Sequence, residues 1–320
     1  MEKDRIFLSD ALQGMKQLPD NSIQCCVTSP PYWKARDYNI DGQYGMEASP
    51  ALYVQQLVAV FNEVKRVLKP NGTLWLNVAD VYWTDAHRKG RNGHHNPKYK
   101  KPGQSNASID VQDSIFDNLK AKDLIGIPWI LAFALRNAGW HLRQDIIWHK
   151  PNAMPERVVD RCAKSHEYLF LFSKSARYLF NPKAIREPAA YDGRKDTICK
   201  GSPKYRGQNI TFSGNAHPRW QLDDNGLFVR NKRSVWSIPL KPFSGPHVAP
   251  FPEQLPLTCI IAGTDEGDTV LDPFMGAGTT AIAAKRLKRY FIGLELNPQS
   301  ISIAEKRLLD SFGLFQKGMY

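Results

Sequence analysis

The stretch that most constrains this chain is Asp268 to Leu294. Asp268 to Leu271 reads as a short buried strand, Asp272-Pro-Phe-Met-Gly276-Ala-Gly278-Thr279-Thr280 as a turn with two glycines, Thr280 to Lys288 as a helix, and Tyr290 to Leu294 as the next strand. Strand, turn, helix, strand is the repeating unit of a parallel α/β sheet, and ligands of such sheets lie beyond the carboxyl ends of the strands. The same order occurs near the other end. Ser22 to Val27 forms a strand-like run that stops at Pro30-Pro31. Ser49-Pro50 reads as an N-cap with proline at the first helical position, and Leu57, Val58, Phe61, Val64, Val67 and Leu68 then recur with helical period. Pro70-Asn-Gly72 closes that helix before a strand from Thr73 to Val78. Pro128 to Asn137 reads as a helix, Trp140 to Trp148 as a strand, and Asn297-Pro298 caps a last helix through Leu309. The fold class is therefore α/β.

The glycine turn bears on ligand type. Gly276 and Gly278 at the end of a strand let a nucleotide-like cofactor approach the backbone, and Glu295, 23 residues after Asp272, ends the following strand where a carboxylate reaches ribose hydroxyls. The turn lacks the third glycine of a pyrophosphate fingerprint, the lysine of a P-loop and any basic residue. Asp272 would put negative charge where a pyrophosphate sits, so an adenosine cofactor bearing a cation fits better, with Asp272 receiving its ammonium or sulfonium. A nicotinamide dehydrogenase would share the strand, turn and acid, but needs the fuller glycine pattern.

A second turn, Thr28-Ser29-Pro30-Pro31-Tyr32-Trp33, follows the first clear strand directly. The prolines fix the backbone and remove two donors, so the Pro30 carbonyl and the Ser29 hydroxyl are two neighbouring acceptors. That pair suits an exocyclic amino group, and Tyr32 supplies a face on which a base stacks.

On these residues the chain resembles the amino-group DNA methyltransferases that use S-adenosylmethionine. Ser29-Pro30-Pro31-Tyr32 is similar to their catalytic signature, and Asp272-Pro273-Phe274-Met-Gly276-Ala-Gly278-Thr279-Thr280 to their cofactor signature. Connecting pieces, among them Arg66 to Thr73, Trp148-His-Lys-Pro151 and Phe251-Pro-Glu-Gln-Leu255, resemble the family as well. The catalytic turn comes first and the cofactor turn last, as in the circularly permuted β group. The resemblance implies a Rossmann-like seven-stranded methyltransferase sheet with helices on both faces and an irregular target-recognition insertion. It implies that Asp10 lies near the cofactor adenine, that His247 flanks the cofactor, and that Ser29, Pro30, Pro31 and Tyr32 are catalytic, with Tyr32 and Trp33 stacking a flipped base. Ser-Pro-Pro-Tyr is similar to the N4-cytosine members. N6-adenine is the alternative, and an RNA base amine a further one. Carbon-5 cytosine methylation is disfavoured, because no cysteine follows a proline as that chemistry requires.

Charge points to the partner. The 320 residues carry a formal net charge of +12, and the excess is local. Residues 1–83 hold 8 basic and 9 acidic side chains, residues 234–320 hold 8 of each, and residues 84–233 hold 27 basic against 14 acidic. Double-stranded DNA is the expected partner. Its candidate contacts are Arg88, Lys89, Arg91, Lys98, Lys100 and Lys101 in an aperiodic run, 84–118, read as a mobile loop within a catalytic half, 1–185. Further candidates are Arg194, Lys195, Lys204, Arg206, Arg230, Lys232 and Arg233 in a target-recognition region, 186–233, ahead of a cofactor half, 234–320. A cognate restriction endonuclease and a second copy of the chain are further partners compatible with the resemblance. No metal is expected, since His87, His94, His95, Cys162 and His166 form no recognisable ligand set. No apolar run reaches the ~18 residues of a membrane span, and the expected location is the cytoplasm of a bacterium or phage-infected cell, at the nucleoid. Five cysteines with no C-x-x-C read as reduced, mostly buried thiols.

Overall fold

The main sheet is built from β1 (Arg5–Leu8), β2 (Ile23–Thr28), β3 (Leu68–Val78), β4 (His141–His149), β5 (His166–Ser173), β9 (Val235–Ser237), β10 (Thr269–Asp272) and β11 (Tyr290–Glu295). Among the described residues three short strands, β6 (Glu187–Pro188), β7 (Gln221–Leu222) and β8 (Phe228–Arg230), lie outside it. The order in the main sheet is β1-β11-β10-β2-β3-β5-β4-β9. The first five of these run parallel, and β5 is antiparallel to both β3 and β4. The computed structural model describes residues 2–84, 115–116, 118–189, 221–222, 228–241 and 250–313. It divides into two units, residues 1–180 with 234–320, and residues 181–233.

The expected sheet of seven strands is present and carries an eighth. Strand β9 adds three residues along β4, pairing Ile147 with Val235, Trp148 with Trp236 and His149 with Ser237. Trp236 lies 6.2 Å from Trp75 on the sheet, and the Trp148 indole N–H donates to the Ile238 carbonyl at 2.8 Å. Three residues are too few for a periodic signal, which is why the run does not read as a strand.

Among the described residues six helices flank the sheet: α1 (Ala11–Lys16), α2 (Pro50–Val67), α3 (Ile127–Asn137), α4 (Gln254–Gly263), α5 (Thr279–Arg286) and α6 (Pro298–Phe312). Strand alternation sorts them into two layers. Cys26, Leu74 and Leu76 join the core formed with α1, α2 and α3. Cys25, Thr73 and Trp75 point the other way, against Gly263 of α4, whose side α5 and α6 extend. Helix α2 starts as the sequence predicts, with Ser49 Oγ accepting from Leu52 N at 3.2 Å and Pro50 in the first turn. Its Leu57, Phe61 and Val64 are fully buried, and each such side chain contributes roughly 1.5–3 kcal/mol of transfer free energy.

Two boundaries differ from the pattern. Strand β3 begins at Leu68, running through Pro70-Asn-Gly72 where a stop is expected, and its ladder with β2 shifts register between Ile23 and Cys25. That irregularity accommodates a proline within a strand. The second unit contains its own small sheet, in the order β6-β8-β7. Among the described residues, no helix is long and apolar enough to cross a membrane. Cys25, Cys26 and Cys259 are buried and form no disulfide among the described residues, while Cys162 is exposed.

Candidate active site

Strands β2 and β10 lie side by side, Cys25 opposite Val270 and Cys26 opposite Leu271, at the point where the connections diverge to the two halves of the sheet. This is where an open α/β sheet forms a crevice. The two turns singled out in the sequence therefore leave neighbouring strands at the same edge. Thr28 Oγ1, the last residue of β2, donates to Asp272 Oδ1 at 2.6 Å. Thr280 Oγ1 donates to Asp272 Oδ2 at 2.6 Å, and Phe274 N–H donates to Oδ1 at 3.0 Å. Burial pushes the Asp272 carboxyl up to about 6, against the pull of these three donors. Both its oxygens are thus engaged by the protein. Asp272 thereby fastens the cofactor turn to the catalytic strand, and its Oδ2, with a single donor, keeps a lone pair.

Glu295, at the end of β11, accepts from Gly276 N–H at 2.7 Å through Oε2 and from Asn297 N–H at 2.8 Å through Oε1. Burial raises its carboxyl, and those backbone bonds oppose the shift. Each oxygen keeps a lone pair for a hydroxyl donor. Asp10 caps α1, accepting from Gln13 N–H at 3.0 Å.

The glycines differ in purpose. Gly276 has φ +51°, and a Cβ there would find its nearest neighbour, Phe274 O, 3.9 Å away. Its missing side chain leaves room at the crevice. Gly278 has φ +79°, and a Cβ there would stand 2.7 Å from Ala304 Cβ of α6. Its absence serves the packing of α5 on α6, a reason the sequence reading did not separate from ligand approach.

These groups converge on one cavity of about 390 Å³. Ser29, Pro30, Pro31 and Tyr32 line one side; Asp272, Pro273, Phe274, Gly276, Thr279 and Glu295 line the other, with Asp10 beside them. Gly278 and Thr280 support the turn from behind. The neighbouring carbonyl, Pro31 O, accepts from the buried Tyr53 hydroxyl at 2.8 Å, which anchors the turn. The fit to an adenosine cofactor rests on the donor set: Glu295 offers acceptors for a ribose diol, Gly276 leaves open backbone, and Phe274, Phe251 and Pro250 add apolar surface.

Several wall residues escaped the sequence reading. Asn77, Lys150 and Glu167 stand behind the catalytic turn, Trp148 is a wall rather than core alone, and Arg36, Tyr38 and Tyr44 come from the segment after it. The signals were present: Asn77 interrupts the apolar run Leu74-Trp-Leu-Asn-Val78, and Glu167 opens the apolar run to Phe172.

Trp33 is the opposite case. It is 1% exposed, stacks on Trp83 at 6.0 Å and donates its indole N–H to the Glu47 carbonyl at 3.1 Å, so it holds the turn from within and offers no face to a base. Of the basic candidates, Arg230 and Arg233 both bond Glu187 Oε1, at 2.9 and 2.5 Å, so any phosphate contact competes with that ion pair. Lys232 lies between them. Arg88, Lys89, Arg91, Lys98, Lys100, Lys101, Arg194, Lys195, Lys204, Arg206 and His247 lie outside the described residues.

Comparison with known proteins agrees with this geometry. The profile of the N6/N4 methyltransferase family, described as DNA methylase, matches residues 23–306. The chain is 44% identical over 303 residues to the type II methyltransferase M.XycI of Xanthomonas campestris pv. cyanopsidis, covering 95% of this chain and 87% of that one. It is 39% identical to M.SmaI of Serratia marcescens, over 95% of this chain and 90% of the relative. Among solved structures, the fold is similar to TTHA0409, a DNA modification methylase of Thermus thermophilus complexed with S-adenosyl-L-methionine (TM-score 0.57, 24% identity, 97% and 95% of the two chains). It is also similar to the cytosine-N4-specific PvuII DNA methyltransferase (TM-score 0.62, 16% identity, 100% and 89%). With both signature turns on one cavity and the family match spanning nearly the whole chain, the protein belongs to the N6/N4 DNA methylases, methyltransferases that take their methyl group from S-adenosylmethionine.

Proposed function

We propose that this enzyme methylates the exocyclic N4 of a cytosine flipped out of duplex DNA. The observation that carries the reading is a neutral serine, Ser29, lining the same cavity as the cofactor turn, in the Ser-Pro-Pro-Tyr pattern similar to N4-cytosine members. Ser29 Oγ and the Pro30 carbonyl accept the two amino hydrogens, which turns the nitrogen lone pair out of conjugation with its ring and toward the cofactor side. Tyr32 stacks the base. Asp10, Gly276 and Glu295 hold the cofactor, which when bound supplies an electrophilic methyl group beside the amine. Asp272 keeps the two turns in register and adds negative charge near the cationic centre. The second unit, together with the basic residues of 84–233, reads the recognition sequence. A type II restriction endonuclease of the same specificity is the partner this role calls for.

The test is to methylate mixed-sequence duplex DNA and, in parallel, RNA with the purified protein and S-adenosylmethionine, then identify modified nucleosides by mass spectrometry. N4-methylcytosine in DNA is expected. N6-methyladenine alone would overturn the choice of base, and modification of RNA alone the choice of nucleic acid.

A further inference from the structure

Behind the catalytic turn, Ser29 and Tyr32 join a chain of polar groups whose other members, Asn77, Glu167 and Lys150, have no part in the proposed reaction. Tyr32 Oη lies 2.7 Å from Glu167 Oε2, 3.2 Å from Ser29 Oγ and 3.2 Å from Asn77 Oδ1. Asn77 Nδ2 donates to Glu167 Oε2 and to the Tyr168 carbonyl, both at 3.1 Å, which fixes its amide with the oxygen toward Tyr32. The other carboxylate oxygen of Glu167 is paired with the Lys150 ammonium, itself 4.5 Å above the Trp148 ring. Asn77 and Glu167 are buried, and both line the cavity wall.

The hydrogen inventory of this chain has one low-energy solution. A carboxylate accepts only, and tyrosine and serine hydroxyls carry one hydrogen each. Burial next to the Glu167 charge raises the Tyr32 phenol well above its ordinary value, so it keeps its proton. That proton goes to Glu167, because a charge-assisted bond at 2.7 Å outweighs one to the neutral Asn77 oxygen at 3.2 Å. Tyr32 Oη is then the acceptor for the Ser29 hydrogen. Ser29 has spent its only donor inside the protein and turns lone pairs alone toward the cavity.

We infer that Glu167, held by Lys150, is a positioning residue that acts through Tyr32 to keep Ser29 an acceptor-only group toward the target amine. The inference rests on the proposed role of Ser29. It explains how a neutral hydroxyl serves where a donor would be counterproductive: a serine free to rotate would at times present its hydrogen to the target and would tolerate a ring carbonyl, as in thymine or guanine, in place of an amine. Fixed as an acceptor, it favours a base that offers hydrogens and leaves a carbonyl facing lone pairs.

Steady-state methylation of duplex DNA by the full-length protein tests this with Glu167→Gln, Tyr32→Phe, the double variant, Lys150→Arg, Lys150→Met and Ser29→Ala. Glutamine can donate to Tyr32 and reverse the chain, so Glu167→Gln should lower kcat by about tenfold or more while KM for S-adenosylmethionine stays within about twofold. The double variant should be no slower than Tyr32→Phe alone, because both break one chain. Lys150→Arg should retain most turnover and Lys150→Met should not, which decides the matter even if Glu167→Gln fails to fold. Wild-type kcat in Glu167→Gln, additive losses in the double variant, or equal kcat in the two Lys150 variants would overturn the inference. Full turnover in Ser29→Ala would overturn the reading beneath it, and an inactive Ser29→Ala beside a fully active Glu167→Gln would overturn the inference alone.

Discussion

A carboxylate buried as deeply as Asp272 is costly to keep ionised, and three donors do not fully offset that cost, since its carboxyl titrates at about 6 rather than 3.8. The fold therefore prefers the protonated form. The associated stability is fully present below about pH 4 and is lost as pH rises through about 6, a change on the order of 3 kcal/mol. Urea unfolding of wild type and Asp272→Asn between about pH 4 and 7 should show the wild type gaining on the variant as pH falls, whereas a difference independent of pH would mean the group is ionised throughout. What made Asp272 legible in the sequence was its place at the head of a glycine turn. What hid its work was the partner: Thr28 is 244 positions away, and no local pattern announces a hydrogen bond across that distance. Ser29 and Tyr32 were legible because the prolines between them restrict the backbone, while Glu167 reaches the site through the pairing of β5 with β3, and Lys150 through that of β4 with β5.

At the scale of elements, strands and helices with clean period or caps were readable: α2 from Ser49-Pro50, α6 from Asn297-Pro298, and β10 and β11 around the glycine turn. Strand β5 and helix α4 were not, because His166–Ser173 and Gln254–Gly263 are apolar nearly throughout and carry no period to separate helix from strand. The two glycines ahead of α5 give this scale its prediction. Gly278→Ala combines a left-handed φ with a 2.7 Å approach to Ala304, so it should destabilise the protein by about 2 kcal/mol or more. Gly276→Ala bears only the backbone strain, about 1 kcal/mol, but adds a methyl group at the cavity. Thermal melts and calorimetric titration with S-adenosylmethionine should separate them, Gly278→Ala losing mainly stability and Gly276→Ala mainly affinity. Equal effects on both readouts would mean the two glycines share one role.

Over the whole molecule the uneven charge is the dominant fact. Residues 84–233 carry 27 basic against 14 acidic side chains, while the two end segments, which supply most of the cofactor cavity's lining, are near neutrality. DNA affinity should therefore fall by roughly three orders of magnitude between 50 and 200 mM salt if about six phosphates are contacted, while affinity for S-adenosylmethionine changes by less than about twofold. Parallel binding titrations across that range check both, and a flat DNA curve would remove charge as the main attraction. The placement of β10 between β2 and β11 also governs the order in which the protein can be made. Among the described residues β1 pairs with β11 alone, and β2 has an open edge until β10 arrives, so a nascent chain emerging from the ribosome carries Ser29 to Tyr32 for about 240 residues of synthesis with the methyl-donor side of the crevice still missing. Until Asp272 to Glu295 have been synthesised, the catalytic turn has no cofactor turn beside it, and a chain that stops before Asp272 leaves β2 without β10 along one edge.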